Sequence, residues 1–246
     1  MSRASAETPV SLVTGAGVRV GRAIALALAR AGSDVLVHYR SSAEPAEEVA
    51  ARIRDLGRRG VAEAGDLATP EACRDIVRRT VAEMGALDFL VHSAANFQRV
   101  PLADTDETVW DASMDLNARA GLLLAREAAP TLRRRHGRVV LVSDFMAARP
   151  VRNYLAHSVS KAAVEGLVRA LAIELAPEVS VNGVSPGTVL VPAGTSERQS
   201  ARWAEETPLR RNGDPEDVAG SVVFLCTGPS FVTGQILRVD GGKSLT

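Results

Sequence analysis

The feature that most constrains this chain is the octapeptide Thr14-Gly15-Ala16-Gly17-Val18-Arg19-Val20-Gly21. Ahead of it, Val10-Ser11-Leu12-Val13 reads as a short buried strand. Behind it, Arg22 to Arg30 is a run of helix formers closed by Gly32. A strand, a glycine-rich turn and a helix start, in that order, make a seat for a pyrophosphate. The first N–H groups of a helix lack partners, the positive end of its dipole faces outward, and glycine lets the backbone approach the phosphate closely.

The rest of the chain alternates in the same way. Strands are expected at Asp34–Tyr39, Gly60–Ala64, Leu87–Val91, Gly137–Val142, Val179–Val184 and Gln235–Val239. Helices are expected over about Glu44 to Leu56, to Met84 behind a Thr69 cap and Pro70, and from Tyr154 to Ala176, with another behind Asp214-Pro215-Glu216. A long helical tract from about Thr108 to Arg135 is expected to bend or break at Pro130. Such alternation implies an α/β fold: a doubly wound parallel sheet of about seven strands, Rossmann-type, with helices on both faces. Ligands in such sheets sit beyond the carboxyl ends of the strands, where the strand order reverses. Gly187 to Gly213 shows no clear period, so about 188–213 reads as a substrate lid on a single domain spanning 1–246.

Composition removes several classes of function. Lys plus Arg equals Asp plus Glu at 29 each, so no global field draws in nucleic acid or an anionic membrane. No apolar run approaches the ~20 residues of a membrane span, and the N-terminus lacks a signal-peptide core. Cys73 and Cys226 are far apart, in no metal or redox spacing, and read as buried thiols. A cytoplasmic protein with no metal site and a small-molecule partner is expected.

The end of the second strand discriminates between dinucleotides. An acidic residue there would bond the free ribose hydroxyls of NAD; this chain has Arg40-Ser41-Ser42 instead. A guanidinium with neighbouring hydroxyls suits the additional 2′-phosphate of NADP(H), and Arg19 adds a second cation. Chemistry is expected at the fifth strand and the following helix. Ser143-Asp144 ends that strand, while His157 and Lys161, four apart, share one helix face. Asn117 is a lone amide in an apolar helical run, either a bridging amide or a group that anchors a water or orients Lys161. His92 reads as a hydrogen-bonded structural histidine, and His38 and His136 as surface or strand-end residues without a role.

These residues together resemble the short-chain dehydrogenases/reductases over nearly the whole chain. The supporting segments are the Thr14-Gly15 turn, Asp66-Leu67, Asn117, the Lys161 helix, Asn182 to Gly187 and Val239-Asp240-Gly241-Gly242. Within that superfamily the chain is most similar to the pteridine reductases, which share arginine at Arg19, aspartate at Asp144, an aromatic at Phe97 and the ending Val239 to Thr246. The resemblance implies that Gly15, Arg19, Val20 and Gly21 cradle the pyrophosphate, with Arg40, Ser41 and Ser42 on the 2′-phosphate. It places Asp66 and Leu67 at the adenine, Ser93 and Ala94 at a ribose, Lys161 at the nicotinamide ribose, and Pro186 and Gly187 at the carboxamide. Phe97 would stack a planar substrate, with Tyr154 and Asp144 lining its pocket. It also implies a homo-oligomer, a tetramer more than a dimer, packed through the two long helices.

One departure outweighs these matches. The family's proton donor is a tyrosine four residues before the lysine, and here that position is His157. Cationic neighbours disfavour an imidazolium, whereas an adjacent carboxylate such as Asp144 favours it, so an Asp144–His157 pair could deliver a proton beside Lys161. Tyr154 lies three residues earlier, ~4.5 Å along the helix axis, and does not replace the missing phenol by simple substitution. The reading is an NADPH-dependent reductase of a conjugated C=N or C=O group in a small planar, pterin-like substrate. Two alternatives stand beside it: a relative recruited to an unusual biosynthetic reduction, dehydration or cyclisation, and an NADP-binding subunit that has lost catalysis.

Overall fold

The computed structural model describes residues 8–191 and 194–246. Its frame is a parallel sheet of strands β1 (Val10–Thr14), β2 (Asp34–Tyr39), β3 (Gly60–Ala64), β4 (Phe89–His92), β5 (Arg138–Val142), β6 (Ser180–Pro186) and β7 (Ile236–Val239). The strand order is β3-β2-β1-β4-β5-β6-β7. The chain winds outward from β1 through β2 to β3, then returns to pair β4 on the other side of β1, with Leu12 opposite Leu90. That reversal opens a crevice at the carboxyl ends of β1 and β4.

The strand sequences explain why both faces are covered. In each central strand, successive apolar residues alternate between two separate cores. Leu12, Leu36, Leu90, Val139, Leu141 and Val181 enter one core, and Val13, Val35, Val37, Val91, Val140 and Val184 the other. The first core is closed by α3 (Pro70–Met84), α5 (Ala120–Arg135) and α6 (Leu155–Glu174), through residues such as Ile76, Leu124 and Val168. The second is closed by α1 (Arg19–Arg30), α2 (Ala43–Asp55) and α8 (Pro215–Thr227), through Ile24, Val49 and Val222. Local signals start these helices where the sequence leads one to expect them. Thr69 accepts the Ala72 N–H ahead of α3, and Asp214 and Asp217 form a reciprocal capping box on α8.

Two expectations are corrected. Helix α5 runs through Pro130 unbroken, and that residue lies on its exposed face. The irregularity lies earlier, where α4 (Glu107–Met114) passes into α5 through a π-helical turn, Asp115–Arg119, centred on the buried Asn117. Such bulges concentrate at functional sites. The aperiodic stretch after Gly187 also holds a helix, α7 (Glu197–Glu205), capped by the Ser196 hydroxyl on the Gln199 N–H. Polar residues dominate it, and its apolar side consists only of Ala201, Trp203 and Ala204, a stripe too short to announce a helix within the aperiodic stretch. Among the described residues no helix is long and apolar enough to cross a membrane. Both cysteines are buried thiols.

Candidate active site

A cleft of about 1120 Å³ follows the carboxyl ends of the strands. Every residue singled out above for cofactor or substrate lines it, from Gly15 in the first turn to Gly187 after β6; Asn117 stands just behind the wall, whose surface at that point is Leu116.

The cofactor half is made mainly by backbone. Gly15 takes a left-handed φ of +65°, and a Cβ on Gly21 would lie 2.2 Å from the Gly15 carbonyl oxygen. The turn therefore closes only with glycine at position 21. No side chain caps the start of α1, which leaves its first N–H groups open to the cleft. Arg19 holds φ +55°, in the left-handed region that costs a side-chain-bearing residue about 1–2 kcal/mol. Its guanidinium and that of Arg40 are exposed, line the cleft and make no ion pair among the described residues. A close-approach glycine turn, an uncapped helix start and two unpaired guanidiniums fit a dinucleotide with an additional phosphate.

His38 is the strand-end residue of its two expected positions, but it is not without a role. It is buried at the end of β2, where Nδ1 accepts the Gly15 N–H (3.2 Å) and Nε2–H donates to the Gly65 carbonyl (3.0 Å). It thus ties the glycine turn to the loop after β3, and burial pushes its pKa down to about 4. His92 behaves as expected. Thr14 Oγ1 receives the Ser93 and Ala94 N–H groups (3.1 Å each) and donates to His92 Nδ1 (2.9 Å), while Nε2–H reaches the Leu116 carbonyl (3.0 Å). Burial, with Lys161 as a lesser cause, pushes His92 down to about 4 as well.

The second half is made by side chains from distant elements. Asn117, on the π turn, clamps residue 96 from both sides: its Oδ1 accepts the Asn96 N–H (2.7 Å), and its amide donates to the Asn96 carbonyl (3.1 Å) and to Ser160 Oγ (2.9 Å). The Asn96 carbonyl also faces His157 Nδ1 at 3.0 Å. A carbonyl only accepts, so the proton is on Nδ1, and Nε2 is the nitrogen turned towards Asp144 Oδ2, 3.6 Å away. Nε2 is buried without a hydrogen-bond partner among the described residues. Asp144 is held by its own turn, with Oδ1 accepting the Met146 N–H at 2.8 Å. Phe97 meets the His157 ring edge-on, with centroids 4.8 Å apart, and packs on Tyr154 at 4.9 Å. Lys161 is buried and donates to the Val142 carbonyl (2.7 Å); burial, opposed by Asp144, pushes its pKa down to about 8. The hydrogen bonds of Asn117 run to Asn96 and Ser160 rather than to Lys161.

Asn96 and Ser160 are participants that motif reading leaves out. Asn96 acts through its backbone, which no side-chain pattern reveals. Ser160 had a weak signal, lying three residues from His157 on one helix face, where its hydroxyl bonds the His157 carbonyl at 2.8 Å.

Comparison with known proteins agrees with this architecture. Residues 15–244 match the family described as enoyl-(acyl carrier protein) reductase. A short-chain type dehydrogenase/reductase of Picea abies is 35% identical over 248 residues, covering 95% of this chain and 92% of that one. A 7α-hydroxysteroid dehydrogenase solved with NADH and 7-oxo glycochenodeoxycholic acid superposes with a TM-score of 0.90 at 30% identity, covering 95% of this chain and 93% of that one. A blue fluorescent protein from a metagenomic library, solved with NADPH, does so with a TM-score of 0.89 at 30% identity, covering 96% and 97%.

Proposed function

This chain belongs to the short-chain dehydrogenase/reductase family, and from that premise we propose that it is an NADPH-dependent reductase with His157 as its proton donor. The observation that carries the reading is the fixed His157 ring. Nδ1–H is committed to the Asn96 carbonyl, and Nε2 is left unpartnered beside the Asp144 carboxylate in a cleft that also holds Lys161. A lone pair facing a carboxylate across 3.6 Å is unfavourable; a proton on Nε2, or a donor atom between the two, relieves it. Either arrangement suits a site that hands a proton to a heteroatom and recovers it.

Both NADH and NADPH occur in solved relatives, so the preference for NADPH rests on Arg40, Ser41, Ser42 and Arg19 in this sequence. Gly15, Val20 and Gly21 would hold the pyrophosphate, Asp66 and Leu67 the adenine, Ser93 and Ala94 a ribose, Lys161 the nicotinamide ribose, and Pro186 and Gly187 the carboxamide. When bound, NADPH supplies a hydride to one face of a conjugated C=N or C=O group. His157 delivers the accompanying proton from Nε2, and Asp144 stabilises the imidazolium before transfer. Phe97 and Tyr154 stack a planar, pterin-like substrate against the site. The Asn117 clamp fixes Asn96 and, through it, the tautomer of His157. A subunit that had lost catalysis would have no need of this buried polar chain.

We read the assembly as a homotetramer through the α4–α5 and α6 faces, whose outer surfaces expose Trp110, Leu122, Val159 and Ile173. The test of function is NADPH consumption, against NADH, with dihydrobiopterin, a quinone and an aryl ketone. Turnover of the pterin or quinone with NADPH favoured supports the reading. Tight NADPH binding with no turnover of any of the three contradicts it.

A further inference from the structure

Beyond Asp144 the cleft contains a cation that the proposed reaction does not use. Lys243, in the 3-10 turn Lys243–Leu245, is 6% exposed and lines the cleft. Its ammonium donates one hydrogen bond, to Thr188 Oγ1 (3.1 Å). The other two N–H groups have no partner among the described residues, and no carboxylate forms an ion pair with it there. Two aromatic rings flank it: Phe145, the residue after Asp144, at 5.6 Å from Nζ to centroid, and Trp203 at 5.9 Å.

Charges of both signs lie around it. Glu206 lines the same stretch, but its carboxylate is bonded to Arg202 at 2.8 Å. Arg149 also lines the cleft and donates to the Lys243 carbonyl at 3.0 Å, adding positive charge to the same wall. Burial, the largest cause, pulls the Lys243 pKa below its ordinary value. A buried ammonium is costly unless something pairs with it, and among the described residues only Thr188 does so.

We propose that Lys243 is a specificity-determining residue that binds a carboxylate on the planar substrate, placing that substrate's far end while its reacting group lies at His157. This rests on the reductase reading and adds to it a preference for planar substrates that carry a carboxylate over those that do not. One ammonium with two free donors matches a single carboxylate, and the flanking rings of Phe145 and Trp203 accept a flat apolar body. Aligning the substrate from its non-reacting end is how remote binding energy serves the chemical step.

The experiment compares 2-naphthoate with the neutral, isosteric 2-naphthamide, read by quenching of Trp203 fluorescence in the protein with NADP⁺. The native protein is expected to bind the acid about tenfold more tightly than the amide, the scale of a charge-assisted hydrogen bond. Lys243→Met should abolish that preference by weakening the acid alone, and Lys243→Arg should retain most of it. Equal affinities in the native protein, or a preference that survives Lys243→Met, overturn the proposal. Loss of both ligands together in Lys243→Met and in Lys243→Gln assigns the lysine to structure and overturns it too. NADPH affinity is titrated separately by cofactor fluorescence. Failure there removes the reductase reading, while the acid-over-amide preference is still read on the cofactor-free protein.

Discussion

The two halves of the cleft are built by different means. The cofactor half is a matter of backbone: Gly15 and Gly21 shape the turn, α1 starts without a side-chain cap, and Arg19 and Arg40 stand at the mouth without an ion pair among the described residues. The catalytic half is a matter of side chains brought together from four places. Asn96 follows β4, Asn117 sits on the π turn, Asp144 follows β5, and His157 and Lys161 ride on α6. A backbone site depends on steric permission at a few positions, whereas a convergent site depends on every hydrogen bond in a buried chain. The halves should therefore fail differently.

The largest effect on cofactor binding is expected at Gly21→Ala. The added methyl cannot coexist with the Gly15 carbonyl 2.2 Å away, so the turn must open, and NADPH affinity should fall at least about a hundredfold by fluorescence titration. Next is Asn117→Ala, which removes three hydrogen bonds, one buried and two partly buried, and with them a backbone clamp. A loss of about 2–4 kcal/mol by chemical denaturation is expected, with kcat falling while the NADPH dissociation constant stays within about threefold. If Asn117→Ala weakened NADPH binding as much as Gly21→Ala does, the division into two halves would not hold.

Acid stability probes the joint between the halves. His38 and His92 both have folded pKa values near 4, below the imidazole reference of 6.5. For a group kept neutral in this way, the unfolded chain binds the additional proton. Stability is therefore complete above about pH 6.5 and falls between there and pH 4, by up to about 1.4 kcal/mol per pH unit for each histidine. Denaturation of the native protein and of His38→Asn and His92→Gln at pH 7, 5.5 and 4.5 checks this, since each variant should flatten the slope. The smallest effect is expected at Arg40→Ala. An exposed guanidinium on a phosphate contributes modestly, so NADPH should bind about five- to tenfold more weakly, with NADH unchanged.

How much of this was legible follows the same division. Alternating apolar residues such as Leu12 and Val13 announce a two-faced parallel sheet, and capping pairs such as Thr69-Pro70 and Asp214-Pro215 announce helix starts, because both signals are local. The glycine turn and Arg40 are local too. The strand-end position of His38 was legible, but its role was not, because its partners Gly15 and Gly65 lie 23 and 27 residues away. The irregularity of the long helix was expected at Pro130 and lies at Asn117, since the cost of a proline depends on which face carries it. The partners of Asn117 lie 21 and 43 residues off, one of them a backbone group, so spacing could not reveal them. The contact of Lys243 with Trp203 of α7 joins distant parts of the chain, so no local signal reveals it.

The most direct test of His157 as the proton donor is the pH dependence of NADPH oxidation with dihydrobiopterin, for the native chain, His157→Phe and His157→Tyr. With His157 as donor, the native rate falls as pH rises, because only the protonated ring delivers the proton. His157→Phe should be about 10²- to 10⁴-fold slower, and His157→Tyr should retain activity with its falling limb moved to higher pH. Three profiles of the same height and shape would contradict the account and assign the proton to Asp144 or water.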